Sequence, residues 1–257
     1  MQYKNYSRFA LINIYKHTVL FCSKAKLLLK KSEVYNYTSK DFLDEAFFLK
    51  YKPIFDNPAQ VIVNNMDSFD MATGMESGGS VLVLNMASHR QAGGGVVNGA
   101  RAQEEELFRK SNYFQVLDQS YYPLHDTEVI YSPLVHIIKD KSYTLLPNFP
   151  TVSCIAVAAI RNPKIGASGN YANEGDLATM NNKIDTIFKV AIMKGHSEIV
   201  LGALGCGAFA NPPKEVAQIF ADKIKIYRNY FKKIGFAVLS TGNNPNFEIF
   251  TEAIGCL

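Results

Sequence analysis

Three consecutive glycines, Gly93–Gly95, are followed after seven residues by Gln103, Glu104, Glu105 and Glu106. Glycines let main-chain N–H groups come close to a ligand, and a helix start concentrates unpaired donors and positive dipole. Together they point to an anionic ligand held beside a carboxyl group able to move a proton. A plainer reading competes with this one. Glu105 precedes Arg109 by four residues and Glu106 precedes Lys110 by four, so pairing along a solvated helix face would account for both. Glu104 has Phe108 at that spacing. Glu106 is expected to be silent.

Two further segments end a strand in polar or small residues. In "VIVNNMDSFDMA", Asp67 and Ser68 follow an apolar run and meet a ligand at the strand's end, or else form an Asx turn or helix cap. In "IVLGALGCGAFANPPKEV" a strand enters a glycine-rich turn, Gly205 to Asn211, and then a helix with a proline start. Amides here would cradle a second phosphate, with Phe209 stacked on a sugar or base. Cys206 lacks a nucleophile-elbow context and a neighbouring histidine, which favours a small buried residue. Neither glycine-rich turn is a dinucleotide fingerprint or a Walker loop. Two such turns suit a diphosphate better than a single phosphate.

The elements that must carry these turns are legible from hydrophobic period. Apolar runs at 60–64, 81–86, 129–135, 152–160, 198–204 and 235–240 have strand length. Helical spacing occupies 182–193 and 213–230, and a helix is expected from about Ala100. Parallel strands with crossover helices follow. Before them, 38–50 reads as an amphipathic helix capped by Thr38 or Ser39, and "FALINIYKHTVLFC" as a helix rather than a signal peptide, because Lys16 and His17 interrupt it. Residues 144–150 and 162–173 are loop-like and are candidates for a wall beside the site.

Composition narrows the function classes. With 257 residues and 47% hydrophobic content the chain can bury a sizeable core, which excludes disorder. A net charge of +4 without arginine-rich blocks argues against direct nucleic-acid binding, although Lys24, Lys26, Lys30 and Lys31 cluster. Cys22, Cys154, Cys206 and Cys256 are too far apart for a zinc site or a disulfide framework, and the five histidines (His17, His89, His125, His136 and His196) show no ligand spacing. The expectation is a cytoplasmic monomer with no metal, no cofactor and no membrane association.

The glycine triplet followed by Gln103–Glu104–Glu105 resembles the signature of poly(ADP-ribose) glycohydrolases, and the surrounding chain is similar to the microbial type of that family, a macrodomain relative. "VLVLNMASHRQAGGG" resembles the family's strand and entry loop, and "LGALGCGAFANPP" its second phosphate loop; "VIYSPLV" and "FAVLSTGNNPNFEIF" are in character, so the likeness covers about residues 60–250. It implies an α/β fold, a macrodomain-like three-layer α/β/α sandwich with a mixed, mostly parallel sheet. Residues 1–58 would be an N-terminal helical extension packed on a domain at 59–257. The resemblance also implies roles. The diphosphate of ADP-ribose would lie on Gly93, Gly94 and Gly95 and on the loop of Gly205, Cys206, Gly207, Ala208 and Phe209, with Phe209 against a ribose. Glu105 would be catalytic, Glu104 would bind hydroxyls of the departing ribose, and Gln103 would position the site. Asp67 would recognise the adenine. Ser88 stands where related macrodomains place an asparagine that binds the distal ribose, at a slightly different spacing.

The implied activity is hydrolysis of ribosyl bonds in ADP-ribosylated protein or poly(ADP-ribose). Such cleavage passes through an oxocarbenium-like state, so the leaving oxygen needs a proton and water needs a base, which one carboxyl can supply in turn. Adjacent carboxylates repel and raise one proton affinity, whereas the helix start favours ionisation. The alternative is a non-hydrolytic macrodomain that reads ADP-ribose with the same pocket; the complete Gln-Glu-Glu triplet favours the enzyme.

Overall fold

A computed structural model describes residues 6–75, 81–240, 244–255 and 257. Cys256 and residues 241–243 of the final motif lie outside the described residues. Seven strands form one sheet in the order β1-β4-β5-β3-β6-β7-β2. They are β1 (Glu33–Asn36), β2 (Gln60–Asn64), β3 (Val81–Met86), β4 (Glu128–His136), β5 (Thr151–Val157), β6 (Glu198–Leu201) and β7 (Lys233–Ala237). The run β5-β3-β6-β7-β2 is parallel throughout, and β4 and β1 add an antiparallel edge. The sheet is therefore mixed and mostly parallel.

Alternation along β3 divides the core. Leu82 and Leu84 join one cluster with Ile199, Ile234 and Phe236. It is covered by α5 (Glu174–Met193), α6 (Pro213–Tyr227) and α7 (Asn246–Ile254), through Ile187, Phe188, Phe220, Ile224 and Phe250. Val81 and Val83 join the other cluster with Val200, covered by α3 (Ser68–Thr73) and α4 (Gln103–Lys110) through Phe69, Met71, Leu107 and Phe108. Helices thus cover both faces of β3, which is why it reads as an unbroken apolar run. The layers are helix, sheet, helix.

The described part of the N-terminal segment, anticipated as a helical extension, carries a strand as well as helices. It contributes to all three layers. Helix α1 (Arg8–Lys24), capped by Ser7, lies behind α4: Thr18 Oγ1 donates to Arg109 O at 2.5 Å, and Lys139 Nζ reaches Ile14 O at 2.9 Å. Strand β1 completes the sheet against β4, and α2 (Asp44–Lys50) sinks Phe47 into the opposite core. The sequence hid β1 because a four-residue strand with two exposed positions carries almost no pattern.

Candidate functional site

The five parallel strands end along one edge, and a cavity of about 370 Å³ opens there. Residues just at or beyond those ends supply its floor: Met66 after β2, Met86 and Ala87 at β3, Ala159 after β5, Ala203 and Leu204 after β6, and Ala237, Val238 and Leu239 at β7. This is the position at which open α/β sheets bind ligands. Its walls bring together Asp67, Gln103, Gly205, Gly207, Ala208 and Phe209, all anticipated from sequence, with Arg101 and Glu106, which were not.

Helix α4 builds one wall. Its N-cap residue, Ala102, has no side-chain acceptor, so the cap is supplied from within: Glu105 Oε2 accepts the Ala102 amide at 3.0 Å. Glu105 Oε1 accepts the Gly95 amide at 2.8 Å. Glu104 is buried between three donors, with Ser88 N on Oε2 at 2.7 Å and Gly93 N and Asn85 Nδ2 on Oε1 at 3.1 and 3.3 Å. Gln103 stitches the helix to the sheet, accepting from Met86 N at 2.9 Å and donating to Leu84 O and Ser68 Oγ.

These bonds correct two expectations. Surface pairing does not occupy the glutamates as the four-residue spacing suggested. Arg109 pairs with Glu106 at 2.5 Å and Lys110 pairs with Asp67 at 2.6 Å, leaving Glu105 to the backbone. The glycine triplet, moreover, spends its amides inside the protein: Gly93 on Glu104, Gly94 on Gln91 O, and Gly95 on Glu105. Its bare backbone seats the carboxylates. A Cβ on Gly94, whose φ is +53°, would come within 2.6 Å of Glu105 Oε1. The triplet, Ser88, Glu104, Glu105 and Cys206 are not among the residues that line this cavity; Glu104 and Glu105, nearly buried, adjoin the lining residues Ala102 and Gln103 in the chain.

The second glycine turn lies on the cavity itself. Gly207, Ala208 and Phe209 line the cavity, and among the described residues their amides donate no hydrogen bond. Asn211 fastens the turn from behind, donating to Ile160 O at 2.7 Å and accepting from Tyr171 OH at 2.8 Å. The loop-like stretch 162–173 therefore backs this turn, and the Asn162 amide donates to Phe209 O at 2.8 Å. Phe209 also meets His89 edge-on, with ring centroids 6.3 Å apart, so the second turn touches the segment that leads into the first.

Electrostatics distinguish the acids. Burial pushes the Glu104 carboxyl up to about 8; the donors from Ser88, Asn85 and Gly93 oppose this and the charge of Glu105 reinforces it. Burial, more than repulsion between neighbours, decides the balance left open by the sequence. Asp67 caps α3, accepting from the Phe69 and Asp70 amides at 2.8 and 3.3 Å, and its second oxygen meets Lys110, so the cap reading and the cavity-lining reading both hold. Burial raises the Cys206 thiol to about 12, and its Sγ faces Leu204 O at 3.6 Å, the behaviour of a packing residue.

Sequence reasoning missed Asn85, a buried polar residue inside an apolar strand that orients Glu104, and Tyr143, whose hydroxyl donates to Glu106 at 2.7 Å. An asparagine within "VLVLNM" was the available signal for the first. Among the described residues no group of three or more His, Cys, Asp or Glu is placed to hold a metal ion, and no helix is long and apolar enough to cross a membrane.

Comparison with known proteins matches the chain to a family and to solved structures. The family described as microbial-type PARG, catalytic domain, matches residues 6–140, a span that runs across the boundary anticipated at 58. A poly(ADP-ribose) glycohydrolase from Deinococcus radiodurans in complex with ADP-ribose is 29% identical, with a TM-score of 0.74 over 86% of this chain and 93% of that one. The Thermomonospora curvata glycohydrolase shares the fold, with 23% identity and a TM-score of 0.81 over 95% of this chain and 99% of that one. The same Thermomonospora protein bound to the inhibitor ADP-HPD gives 24% identity and a TM-score of 0.78 over the same shares. No curated protein sequence matches this chain.

Proposed function

The chain belongs to the family of microbial-type PARG (poly(ADP-ribose) glycohydrolase) catalytic domains, and from that premise we propose that Glu105 performs its hydrolysis by giving one proton to the leaving oxygen and then taking another from water. The enzyme is a glycohydrolase of ADP-ribosyl bonds. ADP-ribose lies along the strand-end cavity, its diphosphate on the amides of Gly207, Ala208 and Phe209, with Phe209 against a ribose. The adenine is directed to the Asp67 end and the scissile ribose to the start of α4, where it reaches past the lining residues Ala102 and Gln103 to the nearly buried carboxyls that Ser88 and the glycine triplet hold.

Glu105 protonates the leaving oxygen as the anomeric C–O bond breaks, then takes a proton from the water that attacks the sugar. Gly95 and Ala102 fix both its oxygens, so its orientation is set before substrate arrives. Glu104, kept largely protonated at neutral pH by burial, offers a hydroxyl-binding group that adds no second negative charge beside the reacting centre. Gln103 holds α4 to β3 and keeps both carboxyls at the strand end.

The observation that carries this reading is the division of labour between the turns: one gives its Gly93 and Gly95 amides to the carboxyls, and the other lines the cavity with three residues whose amides donate no hydrogen bond among the described residues. A module that only reads ADP-ribose needs the second arrangement and has no use for the first. Incubating the chain with poly-ADP-ribosylated protein, and with protein singly modified on serine, glutamate or arginine, should release free ADP-ribose from at least one substrate. Binding without release from any of them would establish the reader instead.

A further inference from the structure

Glu106, expected to be silent, stands on the cavity wall and is held there. Its side chain keeps about a quarter of its surface accessible, with a relative exposure of 24%, while its partner Arg109 is fully buried. Oε1 takes the Arg109 guanidinium at 2.5 Å and Oε2 takes the Tyr143 hydroxyl at 2.7 Å. Tyr143 adopts a left-handed backbone, φ 61°, and its ring packs edge-on against Tyr6, with centroids 5.2 Å apart. Two donors from behind and beside thus fix the carboxylate, and each oxygen retains a lone pair for a ligand.

The position of that carboxylate identifies what it meets. Glu106 lies one turn before Lys110 on α4, and Lys110 pairs with Asp67, so Glu106 and Asp67 share the wall away from Glu104 and Glu105. Both carboxylates are balanced by buried cations, Arg109 and Lys110, so what the wall presents is hydrogen-bond acceptors rather than free charge. A flat, uncharged group with an outward N–H donor would be welcomed, and Met66, Val238 and Leu239 supply apolar floor beside it. Asp67 has one oxygen committed to two helix amides and the other to Lys110, which leaves Glu106 as the less encumbered acceptor.

We propose that Glu106, braced by Arg109 and Tyr143, is a specificity-determining residue that accepts a hydrogen bond from the exocyclic amino group of the adenine. The inference rests on the ADP-ribose reading of the cavity. A site built to receive an N–H donor rejects an analogue that presents an oxygen in its place, because two acceptors then face each other.

The test compares ADP-ribose with the hypoxanthine analogue, in which a carbonyl replaces the amino group, by calorimetry on the parent and on Glu106→Gln and Tyr143→Phe. The parent should prefer ADP-ribose by about 10- to 100-fold, the range of a hydrogen bond to a charged acceptor. Glu106→Gln can donate as well as accept and should bring the ratio close to one; Tyr143→Phe, which only loosens the carboxylate, should reduce it severalfold. Because each ratio is measured within one variant, partial unfolding cancels. An analogue lacking the 2′-hydroxyl of the adenosine ribose should bind equally in parent and Glu106→Gln, relative to ADP-ribose. A parent that binds both bases equally, a ratio unchanged in Glu106→Gln, or a change seen only with the 2′-deoxy analogue would each overturn the assignment. Failure of the parent to bind either nucleotide would instead remove the ADP-ribose reading on which it rests.

Discussion

Glu105 Oε1 occupies the space that a side chain at position 94 would need: a Cβ added to Gly94 would lie 2.6 Å from it. The glycine and the carboxyl are therefore one device, in which absence of a side chain at 94 lets Glu105 reach the Gly95 amide. Gly94→Ala must displace Glu105 and also strain a backbone at φ +53°. Turnover should fall at least about 100-fold, as when general acid–base help is lost. ADP-ribose binding, which we assign mainly to the opposite turn, should weaken far less, and calorimetry beside rate measurement will show whether the two separate.

Lys110 and Asp67 form an ion pair with side chains only 2% and 4% exposed, under the cavity wall. Removing one partner strands the other in a medium that solvates it poorly. Lys110→Met should cost about 3–5 kcal/mol in urea unfolding, and adding Asp67→Asn should recover part of that loss. A single substitution costing under about 1 kcal/mol would mean that water reaches the pair and that the wall is looser than described.

What the sequence revealed and concealed follows from the range of the interactions involved. Strand β3 was legible because burial on both faces leaves an apolar run, and α6 because Pro213 marks its first turn. The start of α5 was read eight residues late, since Leu177, Ala178 and Met180 are too few apolar positions among 174–181 to set a period and its Asn173 cap looks like loop. Helix α3 is only six residues long, too short for a period, so Asp67 showed as a cap without its helix. Within the site, residue types and their grouping were readable, but partner choice was not. Local spacing offered Glu105 to Arg109 and Glu106 to Lys110; the fold offered Glu105 two backbone amides and Lys110 a carboxylate from another element, and burial made those pairings decisive.

Glu104 makes stability depend on pH in a stated direction. Burial holds its carboxyl at about 8 in the folded chain, well above the ordinary glutamate value of 4.5, so the folded state binds more protons between those limits. The stability this group contributes is full below about pH 4.5 and is lost as pH rises through 8. Glu104→Gln does not titrate and should flatten that decline when urea unfolding is compared at pH 5 and pH 8. Lys139, lowered to about 8 by burial, acts oppositely, but only from there up to 10.5, so it does not mask the comparison. Equal declines in parent and variant would contradict the raised carboxyl.

The most direct test of the account is the rate at which Glu105→Gln releases ADP-ribose from ADP-ribosylated protein in a single turnover, set beside its calorimetric affinity for free ADP-ribose. The variant keeps the size of the side chain and removes the proton that the leaving oxygen requires. Release should fall by about 100- to 10,000-fold with affinity within a few-fold of the parent's. Release at the parent's rate would contradict the assignment of Glu105, whatever the fold and ligand prove to be.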